Sequence, residues 1–137
     1  MKPTWQLAGL LAAAIAGVLA PTRGFAHHSF MAEFDQAQPV MVEGAVTKVE
    51  WQNPHTYFYV DAIDASGKTV QWAFETGSPN ALIMRGWTQK SMKPGDHVVV
   101  HGYRAKAGTN LAAARSVTLA DGRTIFGGQT DDGGPTQ

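Results

Sequence analysis

Apolar residues recur at nearly every second position in several short segments of this chain. The first segment covers residues 40–51 and is interrupted at Gly44, and residues 56–63 and 69–75 follow, each after a turn. A period of two is typical of strands with one buried face, and a glycine within a strand favours a bend or a bulge. We therefore predict three consecutive strands, of which the first is long and bends at Gly44.

A different pattern follows the third segment. Ser78 can cap a helix, Pro79 fits a first helical position, and Gly86 is a natural stop after residues 80–85. This order predicts a helix of about two turns. Alternation then returns in residues 97–105 and 113–119, and more weakly in residues 124–126.

Three strands, a short helix and two further strands follow the order of the oligonucleotide/oligosaccharide-binding (OB) barrel. We expect a mostly β fold over residues 27–126, namely a small OB-like five-stranded barrel with the helix between strands 3 and 4. The same strands can also form a small β-sandwich or an open meander. Residues 127–137 (GGQTDDGGPTQ) contain no large apolar residue, which predicts a disordered tail.

The beginning of the chain has the features of an export signal. Lys2 precedes an uncharged stretch over residues 7–20, and the small residues Gly24 and Ala26 stand where a signal peptidase requires them. This predicts a signal peptide over residues 1–26 that is cleaved after Ala26. The apolar run of 14 residues is shorter than the roughly 20 of a spanning helix, so we expect no membrane span after cleavage. The expected location is the periplasm of a bacterium.

Charge and composition exclude several function classes. The 11 basic residues equal the 11 acidic residues in number, so the chain lacks the basic surplus that a nucleic-acid partner would require. The absence of cysteine excludes disulfides, thiolate zinc sites and cysteine nucleophiles. No nucleophile elbow, paired-carboxylate motif or glycine-rich phosphate loop is present, and we therefore expect a protein that is not an enzyme.

The predicted cleavage would place His27 and His28 at the start of the mature chain. The α-amino group and the ring of His27 can then bind one ion, and a third histidine nitrogen would complete a T-shaped copper site. The amine, the His28 amide and the His28 ring offer a second mode, and such nitrogen ligands suit Cu(II). The best third ligand is His55, which Asn53 could orient. The alternatives are a frayed terminus and a turn histidine.

Two further histidines fall in one predicted strand. His97 and His101 are four residues apart, so they share a face but lie about 13 Å from each other and do not bind one ion. Val98 and Val100 occupy the opposite face and are predicted to face the core. Tyr103 then lies on the outer face together with the two histidines.

Aromatic residues suggest a different kind of binding. A surface set made of Tyr57, Tyr59, Trp72 and Trp87 could stack on a flat or apolar small molecule, although core packing is the alternative for each ring. Trp72 and Phe74 share one strand face. A third hypothesis is an envelope interaction protein that binds no small ligand.

Several motifs resemble a known family. The strings AHHSFMAEFD, VEWQNPHTYFYV, WAFETGSPNAL, RGW, KPGD and GYRAKAGTNLAAARSVTLADGR are similar to a family of small exported bacterial proteins classed as a domain of unknown function. The resemblance covers nearly all of the predicted mature chain, apart from the acidic, glycine-rich tail. It implies export and a compact β domain, and it implies no reaction.

Overall fold

The computed structural model describes residues 32–129. The predicted signal peptide, His27, His28 and residues 130–137 lie outside this range. Within the described residues, the following strands and the helix α1 succeed one another in chain order: β1 (Phe34–Glu50), β2 (Tyr57–Ile63), β3 (Thr69–Glu75), α1 (Pro79–Met84), β4 (His97–Ala105), β5 (Leu111–Leu119) and β6 (Thr124–Phe126).

The strands form one sheet that closes on itself. Their order is β3-β2-β1-β4-β5-β6, and an additional pairing joins β3 to β5. That pairing is parallel and matches Ala73 with Leu111 and Glu75 with Ala113, whereas the other pairings are antiparallel. Strands β1 to β5 therefore make a ring in the order expected for the OB type. The mostly β prediction, with one helix between strands 3 and 4, is confirmed, and the open meander is not formed.

The first strand begins at Phe34 and not at residue 40 as predicted. Its early part pairs with β4 and its later part with β2, and Gly44 belongs to both pairings. A Cβ atom at Gly44 would overlap the carbonyl group of Asp61 on β2, which explains the glycine. A bulge follows between Val46 and Lys48.

Inward-facing side chains fill the ring, and the largest of them include Phe58, Val60, Phe74, Val100 and Val117. Helix α1 begins as predicted, because the Ser78 side chain accepts a hydrogen bond from the Ala81 backbone and Pro79 follows it. Leu82 of the helix is fully buried, and so the helix closes the end of the ring at which β3 ends.

The first residue of the predicted tail, Gly127, packs against the sheet. The Gly127 backbone donates to the Arg115 carbonyl at 2.8 Å and accepts from the Gly77 backbone at 2.7 Å, and Gly127 is buried. Glycine composition does not indicate such contacts, because these backbone groups find partners that do not depend on side chains. Residues 130–137 of the predicted tail lie outside the described residues. Within residues 32–129, no helix has the length and apolar character to cross a membrane.

Candidate functional site

The most distinctive polar contacts of the described chain meet at Glu75, the last residue of β3. Tyr57 begins β2 and lies directly opposite Glu75 in the antiparallel pairing. Its hydroxyl donates to Glu75 Oε2 at 2.6 Å. His55, in the loop between β1 and β2, places its Nδ1 atom 2.5 Å from Glu75 Oε1. Two elements and one loop therefore converge on a single carboxylate.

Burial makes these contacts specific. The Glu75 side chain is 6% exposed, whereas the His55 side chain remains 42% exposed. A buried carboxylate needs hydrogen-bond donors, and Tyr57 and His55 supply one for each oxygen. When neutral His55 donates from Nδ1, its Nε2 atom carries no proton and is a free metal ligand. The carboxylate that contacts this ring is thus Glu75, a residue to which the sequence analysis gave no such role, and the orienting role of Asn53 stays a prediction.

A second carboxyl group lies near the same cluster. Burial raises the pKa of Glu33, the negative charge of Glu75 raises it further, and His55 lowers it. These interactions place Glu33 within electrostatic reach of both groups. Phe34 fixes this position, because it is buried against Ala105 in an apolar cluster on the outer face of the sheet.

Tyr57 is held as a neutral phenol. Burial raises its pKa well above the ordinary value, and the hydrogen bond to Glu75 adds to the effect. The next outward-facing tyrosine of β2, Tyr59, donates to Glu50 at 2.9 Å, and Lys48 contacts the same carboxylate. The hydrogen bond to Glu50 is the main cause that raises the pKa of Tyr59. A polar network therefore continues along the outer face from Glu75.

The four aromatic residues predicted as one ligand surface do not form one. Tyr57 and Tyr59 lie on the outer face of β2, whereas Trp72 lies on the inner face of β3 and stacks on Phe74. Trp87 is only 2% exposed, and its indole nitrogen donates to the Phe126 carbonyl at 2.8 Å. Its assignment to a binding surface is corrected, because the indole fills the end of the ring beside the helix.

The structure confirms the predicted faces of β4. Val98 and Val100 are buried, and His97 and His101 are exposed on the other side. The His97 ring lies 3.7 Å from a Glu43 carboxylate oxygen. Residues 32–129 contain no group of three histidine, cysteine, aspartate or glutamate side chains arranged to hold a metal ion. His27 and His28, the other predicted ligands, lie outside the described residues.

Sequence reasoning missed Glu75 and Glu33, although the sequence contained a signal for the first. Residues 64–68 form the turn between β2 and β3, and counting outward from Ile63 opposite Thr69 brings Tyr57 opposite Glu75. A register count from the hairpin turn would have identified this pair. No comparable local pattern indicates Glu33, whose position depends on the early start of β1.

Comparison with known proteins gives a family and no individual relative. A family model described as a family of unknown function (DUF6152) matches residues 16–114. No curated protein and no solved structure matches this chain.

Proposed function

This chain belongs to DUF6152, a family of unknown function, and from that premise we propose that it is an exported periplasmic module that binds or delivers copper. The ligands are the α-amino group and ring of His27 at the processed terminus, together with His55. His28 supplies the alternative ring nitrogen. The role is binding and not catalysis.

The observation that carries the proposal is the contact between His55 Nδ1 and the buried carboxylate of Glu75. Histidines that bind metals commonly donate their other ring nitrogen to a carboxylate, which fixes the ring and strengthens the ligand. The exposed part of His55 then remains available for an ion. Glu75 is a positioning residue in this arrangement, and Tyr57 holds its second oxygen.

The path of the chain supports the same ligand set. Glu33, near the start of the described residues, lies within electrostatic reach of His55. His28 precedes Glu33 by five residues, a span of at most about 17 Å when extended. This reach allows His27 or His28 to meet His55. The carboxylates of Glu33 and Glu75 also favour a cation near the imidazole.

The test is a Cu(II) titration of the processed protein, after intact mass has established that it begins at His27. Three altered proteins accompany it: His55→Gln, His97→Gln as an exposed histidine control, and the processed protein acetylated on its α-amino group. We expect His55→Gln and the acetylation each to weaken binding by at least about tenfold and to change the Cu(II) electron paramagnetic resonance spectrum.

The control separates this site from general histidine binding. His97→Gln should leave both affinity and spectrum unchanged, because His97 lies on β4 away from the cluster. Equal affinity in the acetylated and the unaltered protein would overturn the role of the terminal amine. Equal affinity in His55→Gln would overturn the role of the loop histidine.

A further inference from the structure

A cleft of about 400 Å³ opens at the end of the ring opposite to helix α1. Its origin is the unequal length of neighbouring strands. The pairing of β1 with β2 begins only at Gly44 opposite Ala62, and β2 ends at Ile63. The preceding residues of β1, Met41 to Glu43, therefore have no β2 neighbour, and the cleft occupies the space beside them.

The walls of the cleft combine apolar side chains with polar groups, and the polar groups contribute the larger share of the exposed lining. Val42, Ala62, Val70 and Trp72 contribute to the lining. Met41 and Ile63 border the same cleft and are each 68% exposed, which is unusual for side chains of this size. Exposed apolar residues beside a concave surface are typical of a ligand site.

One wall is held rigidly by Arg104. Its guanidinium lies 5.3 Å from the centre of the Trp72 ring. It also donates to the carbonyls of Gly108 and Thr109 and to Asn110 Oδ1. Asn110 lines the cleft, and its side-chain oxygen accepts one of these hydrogen bonds.

The charged lining residues of the cleft are acidic. They are Glu43 and Asp64, and the described lining includes no lysine, arginine or histidine. The Asp64 carboxylate accepts from the Ser66 backbone and hydroxyl and from the Lys68 backbone, which keeps it ionised and in place. The Glu43 carboxylate lies 3.7 Å from the exposed His97 ring. An organic anion would therefore meet repulsion here.

We propose that this cleft binds a small organic ammonium ion, with its alkyl part against Trp72, Met41 and Ile63 and its charged head beside Glu43. The site is independent of the proposed copper site. His55 precedes the start of β2 and Ile63 ends it, so the two sites lie about 20 Å apart along the strand.

The test uses three probes with the same alkyl chain: n-hexylammonium, 1-hexanol and hexanoate. Each is titrated into metal-free processed protein, with tryptophan fluorescence and backbone amide chemical shifts as readouts. We expect saturable binding of hexylammonium, weaker binding of hexanol and no binding of hexanoate. Hexanol binding as tightly as hexylammonium, or no saturable binding of the amine, would overturn the proposal.

Three variants test whether hexylammonium binds in this cleft. Glu43→Gln should weaken hexylammonium binding by about threefold to fivefold, as expected for one partly exposed ion pair, and should leave hexanol binding unchanged. Asp121→Asn is the matched control, because Asp121 is an exposed acid in the turn before β6. Val70→Phe should abolish amine binding by filling the cleft, with circular dichroism used to verify its fold.

A failure of the amine proposal can be distinguished from a failure of the copper proposal. His55→Gln should leave hexylammonium binding unchanged, because the two sites share no residue. A loss of amine binding in His55→Gln would overturn the independence of the cleft. Unchanged binding in both Glu43→Gln and Val70→Phe would overturn its location.

Discussion

At the scale of single residues, Glu75 is the side chain on which the candidate site depends. A carboxylate with so little exposure is stable as an anion only where donors surround it, and here Tyr57 and His55 are those donors. The same contacts that stabilise the charge also fix a tyrosine and a histidine. A structural requirement of the fold thus orients an imidazole that still reaches solvent.

Tyr57→Phe should destabilise the protein more than Tyr59→Phe. The first change removes a hydrogen bond to the buried Glu75 carboxylate, and such bonds to charged groups contribute about 1.5–3 kcal/mol. The second removes an equivalent bond to Glu50, whose carboxylate is more exposed and can be hydrated instead. Urea denaturation of both variants measures the difference, and equal losses would contradict the role given to burial.

Glu75→Gln should lower Cu(II) affinity by about tenfold to a hundredfold while His55 remains in place. The amide keeps the shape of the side chain but loses the negative charge that orients and strengthens the imidazole ligand. Because Glu75 acts through His55, the electron paramagnetic resonance spectrum should keep the same number of nitrogen ligands. A spectrum identical to that of His55→Gln would instead mean that the histidine has been displaced.

The limits of sequence reasoning are visible in Trp72 and Trp87. Alternation correctly predicted that Trp72 and Phe74 share a face. Trp87 follows a short helix, where no period indicates a direction, and its burial depends on the carbonyl of Phe126, which is distant in sequence. The prediction of a surface role for Trp87 was wrong, because only the folded chain brings the Phe126 carbonyl close to its indole.

At the scale of elements, local sequence patterns predicted some strand boundaries and missed others. The hairpin of β2 and β3 was predicted closely, because its turn and its alternation are both local. The first part of β1 was missed, since residues 35–38 are mostly polar and Pro39 cannot donate to a ladder. Only Phe34 marks its true start, and its apolar partner Ala105 lies on β4.

Gly44→Ala should cost more stability than Ala45→Gly. The added methyl group at residue 44 would overlap the Asp61 carbonyl in the neighbouring strand, and overpacking of this kind costs about 1–3 kcal/mol. The reverse change at the adjacent exposed position removes a methyl group and costs about 0.5–1 kcal/mol. Thermal unfolding of both variants compares them, and a neutral Gly44→Ala would contradict the close approach of the two strands.

The turn between β2 and β3 should give a measurable pH dependence. Hydrogen bonds from the Ser66 side chain, and then from the Lys68 and Ser66 backbones, lower the pKa of Asp64. A lowered native pKa stabilises the fold above the ordinary aspartate value of about 3.9, and this contribution is lost as the pH falls through the native value.

Asp64→Asn should therefore be less stable than the unaltered protein at pH 7, and the gap should narrow at pH 3. Urea denaturation at both values provides the comparison. Asp121→Asn tests another exposed turn in the same way, because its pKa is lowered by the Arg123 backbone and side chain. If the stability difference between Asp64→Asn and the unaltered protein is the same at both pH values, the ionised Asp64 carboxylate is not its cause.

At the scale of the whole molecule, the two proposed sites lie at opposite ends of the ring, and the parallel contact between β3 and β5 is what makes the sheet a ring. Helix α1 covers the end near His55, and the cleft remains at the other. The element order favoured this topology, although the same strands were also compatible with a small β-sandwich or an open meander. The site contacts were not predictable in the same way, because Glu33, His55 and Glu75 come from separate parts of the chain.

This arrangement predicts a spatial pattern of paramagnetic broadening when Cu(II) is added below one equivalent to the processed, isotope-labelled protein. Amide signals of residues 55–57 and of Glu75 should disappear first, because a bound Cu(II) ion broadens the resonances nearest to it. Signals of Ile63 and Asp64 should persist, since they lie about 20 Å from His55 along β2. The protein acetylated on its α-amino group should lose this selectivity, and early broadening around His97 and His101 would place the copper on β4 instead.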